Sequence, residues 1–138
     1  MNGYGAVPEY DELESMETRE KQERSFTVTN TGAGGRKFDS GKLQYGLVPP
    51  NALKETVKVL TLGAEKYDRN NWKKVPDAQA RYYDALQRHL WDWFAGEQLD
   101  PETGINHLAH AMCNIMFLLE RDLYTEEEWE EVVKSVYK

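Results

Sequence analysis

The sequence predicts an all-α protein, a bundle of about four helices behind an acidic N-terminal tail. Three observations carry that reading. Apolar residues after position 50 recur every three or four places, the period of one helix face. No stretch alternates apolar and polar residues with period two, as half-buried strands do. Helix start and stop residues punctuate the chain where the helical period breaks.

The elements follow in order. After Pro49-Pro50, the residues Leu53, Val57, Leu60, Ala64 and Tyr67 are spaced 4, 3, 4 and 3 apart. They mark a helix over 51–67 with Asn51 as its N-cap. A second helix covers 77–95, with Tyr82, Ala85 or Leu86, His89 and Trp93 as its stripe. Gly96 stands where a left-handed glycine stops a helix. A third covers 105–122 and carries Leu108, Ala111, Met112, Ile115, Leu118 and Leu119 on its apolar side. The fourth opens on a capping box, Thr125 with Glu128, and a staple, Tyr124 with Trp129. Trp129, Val132, Val133 and Val136 share one side of this helix, which either covers the protein's own core or meets another subunit. Residues 1–35 mix Gly, Ser, Thr and Glu without sustained period and end in Thr31-Gly32-Ala33-Gly34-Gly35. A helix at 9–23 has only Leu13 and Met16 as anchors, so the tail is expected to be disordered and the helical domain to span 36–138.

Composition narrows the function classes. A chain of 138 residues, 40% hydrophobic and 30% charged, has the length and make-up of one globular domain. No apolar run approaches the roughly 20 residues of a membrane span. Residues 1–20 are acidic and lack the apolar core of a signal peptide, so a cytoplasmic location without membrane contact is expected. The single Cys113 excludes an internal disulfide and a multi-cysteine zinc site, and its apolar neighbours make it a core residue. The net charge of −7 is uneven: residues 1–35 hold seven acidic against three basic side chains, and 122–138 hold six against two. The middle is near neutral, which suits an anionic small molecule but not stable nucleic-acid binding.

The three histidines are the sharpest chemical feature. His107, His110 and Asn114 stand at i, i+3 and i+7, on one face of the third helix and beside its apolar stripe. A short connection makes helices two and three antiparallel neighbours, and His89 then faces the same groove. The connection brings Glu97, Asp100 and Glu102 to the end of that groove. Imidazoles beside carboxylates suit a divalent metal or its supporting shell; they equally suit capped or core histidines with solvated acids. Spacing does not choose between them. The HExxH pattern and the His-Asp dipeptide are both absent, and Asp39-Ser40-Gly41-Lys42 is too short for a phosphate-binding P-loop. Lys66-Tyr67, Asn71-Trp72, Arg81 and Arg88 form a scatter of cations, amides and aromatics. A nucleoside triphosphate would use such a set, and so would an ordinary solvated face.

Taken together, the segments resemble a known family. They are Lys37-Phe38-Asp39-Ser40-Gly41-Lys42, Leu47-Val48-Pro49-Pro50, Gly63-Ala64-Glu65-Lys66-Tyr67 and Asn71-Trp72, then Arg81-Tyr82, Ala85-Leu86, Arg88-His89-Leu90, Trp93 and Gly96-Glu97. Asp100-Pro101-Glu102-Thr103-Gly104 and His107-Leu108-Ala109-His110-Ala111 with Asn114 complete the set. In this order, over about 36–120, they resemble the dATP/dGTP diphosphohydrolase N-terminal domain of bacteriophage and prophage genomes. The resemblance implies a helical pyrophosphohydrolase that splits a purine deoxynucleoside triphosphate into monophosphate and pyrophosphate with Mg2+ or Mn2+, in the bacterial host cytoplasm, as a dimer or tetramer. It implies His89, Glu97, Asp100, His107 and His110 as the metal site, with Glu97, Asp100 and Lys66 as catalytic candidates. Lys42, Lys66, Arg81 and Arg88 then hold phosphates, and Asn71, Trp72 and Asn114 shape the base and sugar pocket. The broader MazG-like pyrophosphatases are similar in architecture but carry Glu-x-x-Glu and Glu-x-x-Asp. Here His89-x-x-Asp92 and His107-x-x-His110 stand instead, a set better matched to Mn2+, Co2+, Fe2+ or Zn2+ than to Mg2+.

Overall fold

The structure, a computed structural model, describes residues 34–138. The expected disordered tail therefore lies outside the described residues, apart from the exposed Gly34 and Gly35. The chain divides into two compact units, Met1–Tyr45 and Gly46–Lys138. In the first, Lys42 N–H closes a turn onto the Asp39 carbonyl (3.1 Å), and the ammoniums of Lys37 and Lys42 lie 3.6 and 3.4 Å from the Asp39 carboxylate.

Among the described residues there are four α-helices and no strand: α1 Pro50–Lys66, α2 Ala78–Phe94, α3 His107–Asp122 and α4 Glu126–Val136. A 3-10 turn, Asn71–Lys74, links α1 to α2. No helix among them is long and apolar enough to cross a membrane. α3 is central: α2 packs along it, α1 packs on it as well, and α4 leans on the Asn71–Lys74 turn.

Local chemistry explains most boundaries. α1 corrects one expectation, because its N-cap is Pro49 and Pro50 occupies the first turn, leaving Asn51 inside the helix. Proline's fixed φ and missing N–H suit that first position, where the donor would be unpaired anyway. α2 begins after Asp77, whose φ of 52° lies in the left-handed region that Asp tolerates. It ends at Gly96 as expected, in a full Schellman closure. Gly96 has φ 102°, its N–H donates to Trp93 O (3.0 Å), and Glu97 N–H donates to Asp92 O (3.0 Å). Asn106 caps α3 by accepting from Leu108 N–H at 2.8 Å. α4 has both halves of the expected capping box, and the Tyr124 and Trp129 rings meet at 5.8 Å.

The faces were harder to assign than the helices. The buried apolar residues are Leu86, Ile105, Ala109, Ala111 and Cys113. On α1 the inward line is Thr56, Leu60 and Gly63, so of the expected stripe only Leu60 turns inward, while Leu53, Val57, Ala64 and Tyr67 are exposed. Thr56 can be buried because its hydroxyl donates to Ala52 O within the helix (2.9 Å). On α3, Ala111 is buried, but Leu108, Met112, Ile115 and Leu119 are exposed. A second cluster is aromatic: Trp72 stacks on Phe117 (4.5 Å, 13°), with Tyr82 5.0 Å from Phe117 and Trp129 5.8 Å from Trp72. These four line a cavity of about 820 Å3 that also takes in Lys73, Asp77 and Arg121. The Trp129 side of α4 thus packs against this chain's own aromatics, with Val132, Val133 and Val136 half-buried.

Candidate functional site

The Schellman closure at Gly96 turns the chain back toward α3. The loop that follows is a small hairpin: Asp100 N–H donates to Ile105 O (2.8 Å), Gly104 N–H to Asp100 O (2.7 Å), and His107 N–H to Gln98 O (3.0 Å). Gly104, at φ 69°, makes the reversal that a side chain would resist. Leu99 and Asn106 pair as an isolated antiparallel bridge. This folds Glu97 and Asp100 over the first turn of α3, where His107 and His110 stand, opposite His89 of α2.

His107 is the hub. Its side chain is 1% exposed, and both ring nitrogens have partners. Nε2 lies 2.8 Å from Glu97 Oε1, and Nδ1 lies 2.8 Å from His89 Nδ1. A carboxylate only accepts, so His107 Nε2 carries a proton; between two neutral rings, His89 Nδ1–H then donates to His107 Nδ1. The His89 ring also stacks on His110 at 4.5 Å and 10°. His110 Nε2 meets Thr103 Oγ1 at 2.7 Å, and the Thr103 hydroxyl and N–H donate to Asp100 Oδ2 at 2.9 and 3.0 Å. Asp100 and His110 are thus joined through one threonine, with 3.7 Å between His110 Nε2 and the carboxylate.

The electrostatics follow from this crowding. Burial holds the His89 imidazole below its ordinary range, and nearby His110 and His107 add to that, against Asp100 and Asp92. Burial also lowers His110, with Asp100 opposing. Burial pushes Asp100 up, but the two Thr103 hydrogen bonds and the neighbouring imidazoles outweigh it and hold the carboxyl below its ordinary range. Neutral imidazoles beside an ionised carboxylate are the protonation states that a cation needs. His89, Asp100 and His107 each offer one ligand atom within 4.8 Å of the others, and so do Asp92, Glu97 and His107.

The five residues named for a metal site come together. The remaining candidates are spread out. Lys66, at the end of α1, reaches the loop through Glu102 (3.4 Å), and both residues are exposed. Arg81 and Arg88 lie on the exposed side of α2, Arg81 3.5 Å from Pro76 O. Asn114 is buried one turn beyond His110 and donates to its carbonyl (2.9 Å). Asn71 and Trp72 are in the 3-10 turn, and Trp72 belongs to the aromatic cavity. Two participants were not among the residues expected in the site. Asp92 was legible as the fourth residue of His89-x-x-Asp92. Thr103 carried no signal beyond its place in the loop, because a hydroxyl between His110 and Asp100 exists only once the loop has folded.

Residues 32–131 match the family described as dATP/dGTP diphosphohydrolase, N-terminal. A protein of Salmonella phage PMBT28 named dATP/dGTP diphosphohydrolase is 34% identical over 106 residues, 74% of this chain and 36% of that protein. The chain thus spans about a third of the relative's length. No solved structure matches the chain. With 100 of its residues under the family's pattern and the histidine-carboxylate cluster inside that stretch, the chain belongs to the dATP/dGTP diphosphohydrolase N-terminal family.

Proposed function

We propose that this chain hydrolyses purine deoxynucleoside triphosphates to monophosphate and pyrophosphate at the α2–α3 cluster, using a divalent metal. The observation that carries the reading is the buried His107, with Nδ1 against His89 and Nε2 against Glu97 and with Asp100 and Asp92 each within ligand reach of it, in a family named for that activity. The donor set fits a divalent transition cation, since its atoms are neutral imidazole nitrogens and carboxylate oxygens already within a common reach. His89, Asp100 and His107 would hold it, with His110 locked behind Asp100 by Thr103. Such an ion neutralises phosphate charge and makes water a nucleophile near neutral pH.

The chain's own residues do the rest. Glu97 fixes the tautomer and orientation of His107 from the far nitrogen, as carboxylates behind ligand histidines do. Water attacks the α-phosphorus, the bond to the bridging oxygen breaks, and pyrophosphate leaves. Lys66, Arg81 and Arg88 are the phosphate contacts in this reading. Trp72 and Asn71 serve the base. Tyr82 precedes His89 by seven residues and Phe117 follows His110 by seven, so the aromatic cavity lies about 10 Å along the helices from the histidines. A nucleotide can extend over that separation, with its base against Trp72 and its phosphates at the cluster.

The test is a product assay on each of the four deoxynucleoside triphosphates with Mg2+, Mn2+ or Co2+. Purine-selective release of monophosphate and pyrophosphate is expected, and His107→Ala should abolish it. Orthophosphate with a diphosphate product would refute the bond named. No product from a chain with intact helices would favour the alternative, a nucleotide- or partner-binding module without turnover, to which imidazoles in place of paired carboxylates lend weight.

A further inference from the structure

One wall of the aromatic cavity is α4, through Glu126 and Trp129, and α4 is lightly held. It is the one described α-helix without a fully buried residue; α1, α2 and α3 each bury at least one. Its main packing partner is the Asn71–Lys74 turn and not another helix. At 11 residues it is shorter than α1, α2 and α3, which have 17, 17 and 16. A segment with so little buried surface opens locally while the rest of a domain stays folded. Three contacts hold it down. Arg121, on α3, pairs with Glu126, donates to Tyr124 O at 3.3 Å and lies 5.2 Å from the centre of the Trp129 ring. Trp129 meets Trp72 at 5.8 Å. At the far end, the Lys74 ammonium lies 5.2 Å from the centre of the Tyr137 ring.

We propose that α4 is a hinged cover over this cavity, which swings about residues 123–125 to admit a purine base to Trp72 and closes over it. The inference rests on the reading that places the base against Trp72. Crowding at that ring calls for the motion. Phe117 is stacked on Trp72 at 4.5 Å, and Trp129 stands 5.8 Å away at 41°. A base needs about 3.5 Å of clear depth against the indole, and a second indole so close crowds the approach. Phe117 belongs to the central helix and is wedged between Trp72 and Tyr82, so it does not yield alone. Trp129 moves with α4. The link from α3 to α4 is only Leu123-Tyr124-Thr125, with Leu123 68% exposed, and a few dihedral changes there swing the helix as one body. The Thr125–Glu128 capping box travels with α4 and keeps its first turn intact. Arg121 is the latch, because it stays on α3 while gripping Glu126 and Trp129. Closure brings Trp129 back over the base and shuts water out from that side.

The experiment is hydrogen exchange read by mass spectrometry on the full chain near neutral pH. It is run without ligand, with Mn2+ and α,β-methylene-dATP, and with Mn2+ and inorganic tripolyphosphate. Without ligand, the amides of α4 should exchange about tenfold or more faster than those of α3. The nucleotide should slow exchange both in the hairpin after Gly96 and in α4. Tripolyphosphate, which has no base, should slow it in the hairpin alone. Arg121→Met and Lys74→Met each remove one hold, and each should speed exchange in α4 by roughly two- to tenfold while leaving α3 unchanged. The second variant serves if the first fails to fold. Exchange in α4 as slow as in α3 overturns the proposal, and so does a variant that speeds both helices in step. Equal protection of α4 by tripolyphosphate also overturns it, since the base is then not what closes the cover. Protection of the hairpin by the nucleotide without α4 overturns the cover and spares the hydrolase reading, whereas protection at neither place overturns both.

Discussion

At the residue scale, the site is held by short-range pairs around two side chains, His107 and Thr103. Thr103 is the less obvious one. Its hydroxyl donates to Asp100, accepts from His110 and accepts the Ile105 N–H at 3.2 Å. Thr103→Val keeps the shape and removes all three, leaving polar partners half-buried without their bonds. A loss of about 1–3 kcal/mol in unfolding free energy is expected, measured by urea denaturation, with metal affinity falling at the same time. A variant as stable as the parent would show that Thr103 is a bystander. Cys113 makes a second prediction. Burial pushes its thiol from 9.0 up to about 11, so folding favours the protonated form. Its contribution is intact below pH 9 and is lost as pH rises through about 11. Ellman's reagent at pH 8 should find no reactive thiol in the folded chain and one in denaturant. Prompt reaction of the native protein would contradict the burial.

At the element scale, helix ends matter more to the site than helix interiors. The end of α2 sets where Glu97 stands, and Gly96 makes that turn at φ 102°, which an L side chain resists. Gly96→Ala should therefore cost about 1 kcal/mol and also weaken metal binding, by displacing Glu97 from His107. Thr125→Ala breaks the capping box of α4 at a similar expense, about 0.5–2 kcal/mol, but leaves the cluster untouched. Thermal melts and metal titrations on the two variants separate the cases. Equal effects on metal affinity would mean that only overall stability is being read.

At the scale of the whole molecule, α3 has two unlike sides. Its α2 side gathers imidazoles and carboxylates, and its other side is a bare apolar stripe. The cluster predicts a metal preference. Mn2+ or Co2+ should raise the melting temperature and support turnover at lower concentration than Mg2+, because imidazole nitrogen suits those ions better. At a metal concentration 100 times its dissociation constant, the gain is about 2.7 kcal/mol. Chelation with EDTA should remove both effects, and added Mn2+ should restore them. Equal responses to Mg2+ and Mn2+ would argue that carboxylates, not histidines, hold the ion.

Helix number, order and most ends were readable from residues, because caps and periods are local. Gly96, Thr125 with Glu128, and the run of apolar residues in α3 each act within a few positions of themselves. The approach of His107 and His110 was legible for the same reason, as spacing on one helix, and His89 followed from a short connection. Asn51 misled because Pro50 outcompetes a side-chain cap at the first turn. The faces of α1 and α3 could not be read, since a helix apolar on several sides has no unique inward stripe and its neighbours choose one. Thr103 entered the site for a tertiary reason too: a hairpin closed by Gly104 brings it under His110. Local sequence sets which helices form and which side chains stand along them. The tertiary structure decided which face each helix buries and which atoms meet, because those depend on packing between segments that are distant along the chain.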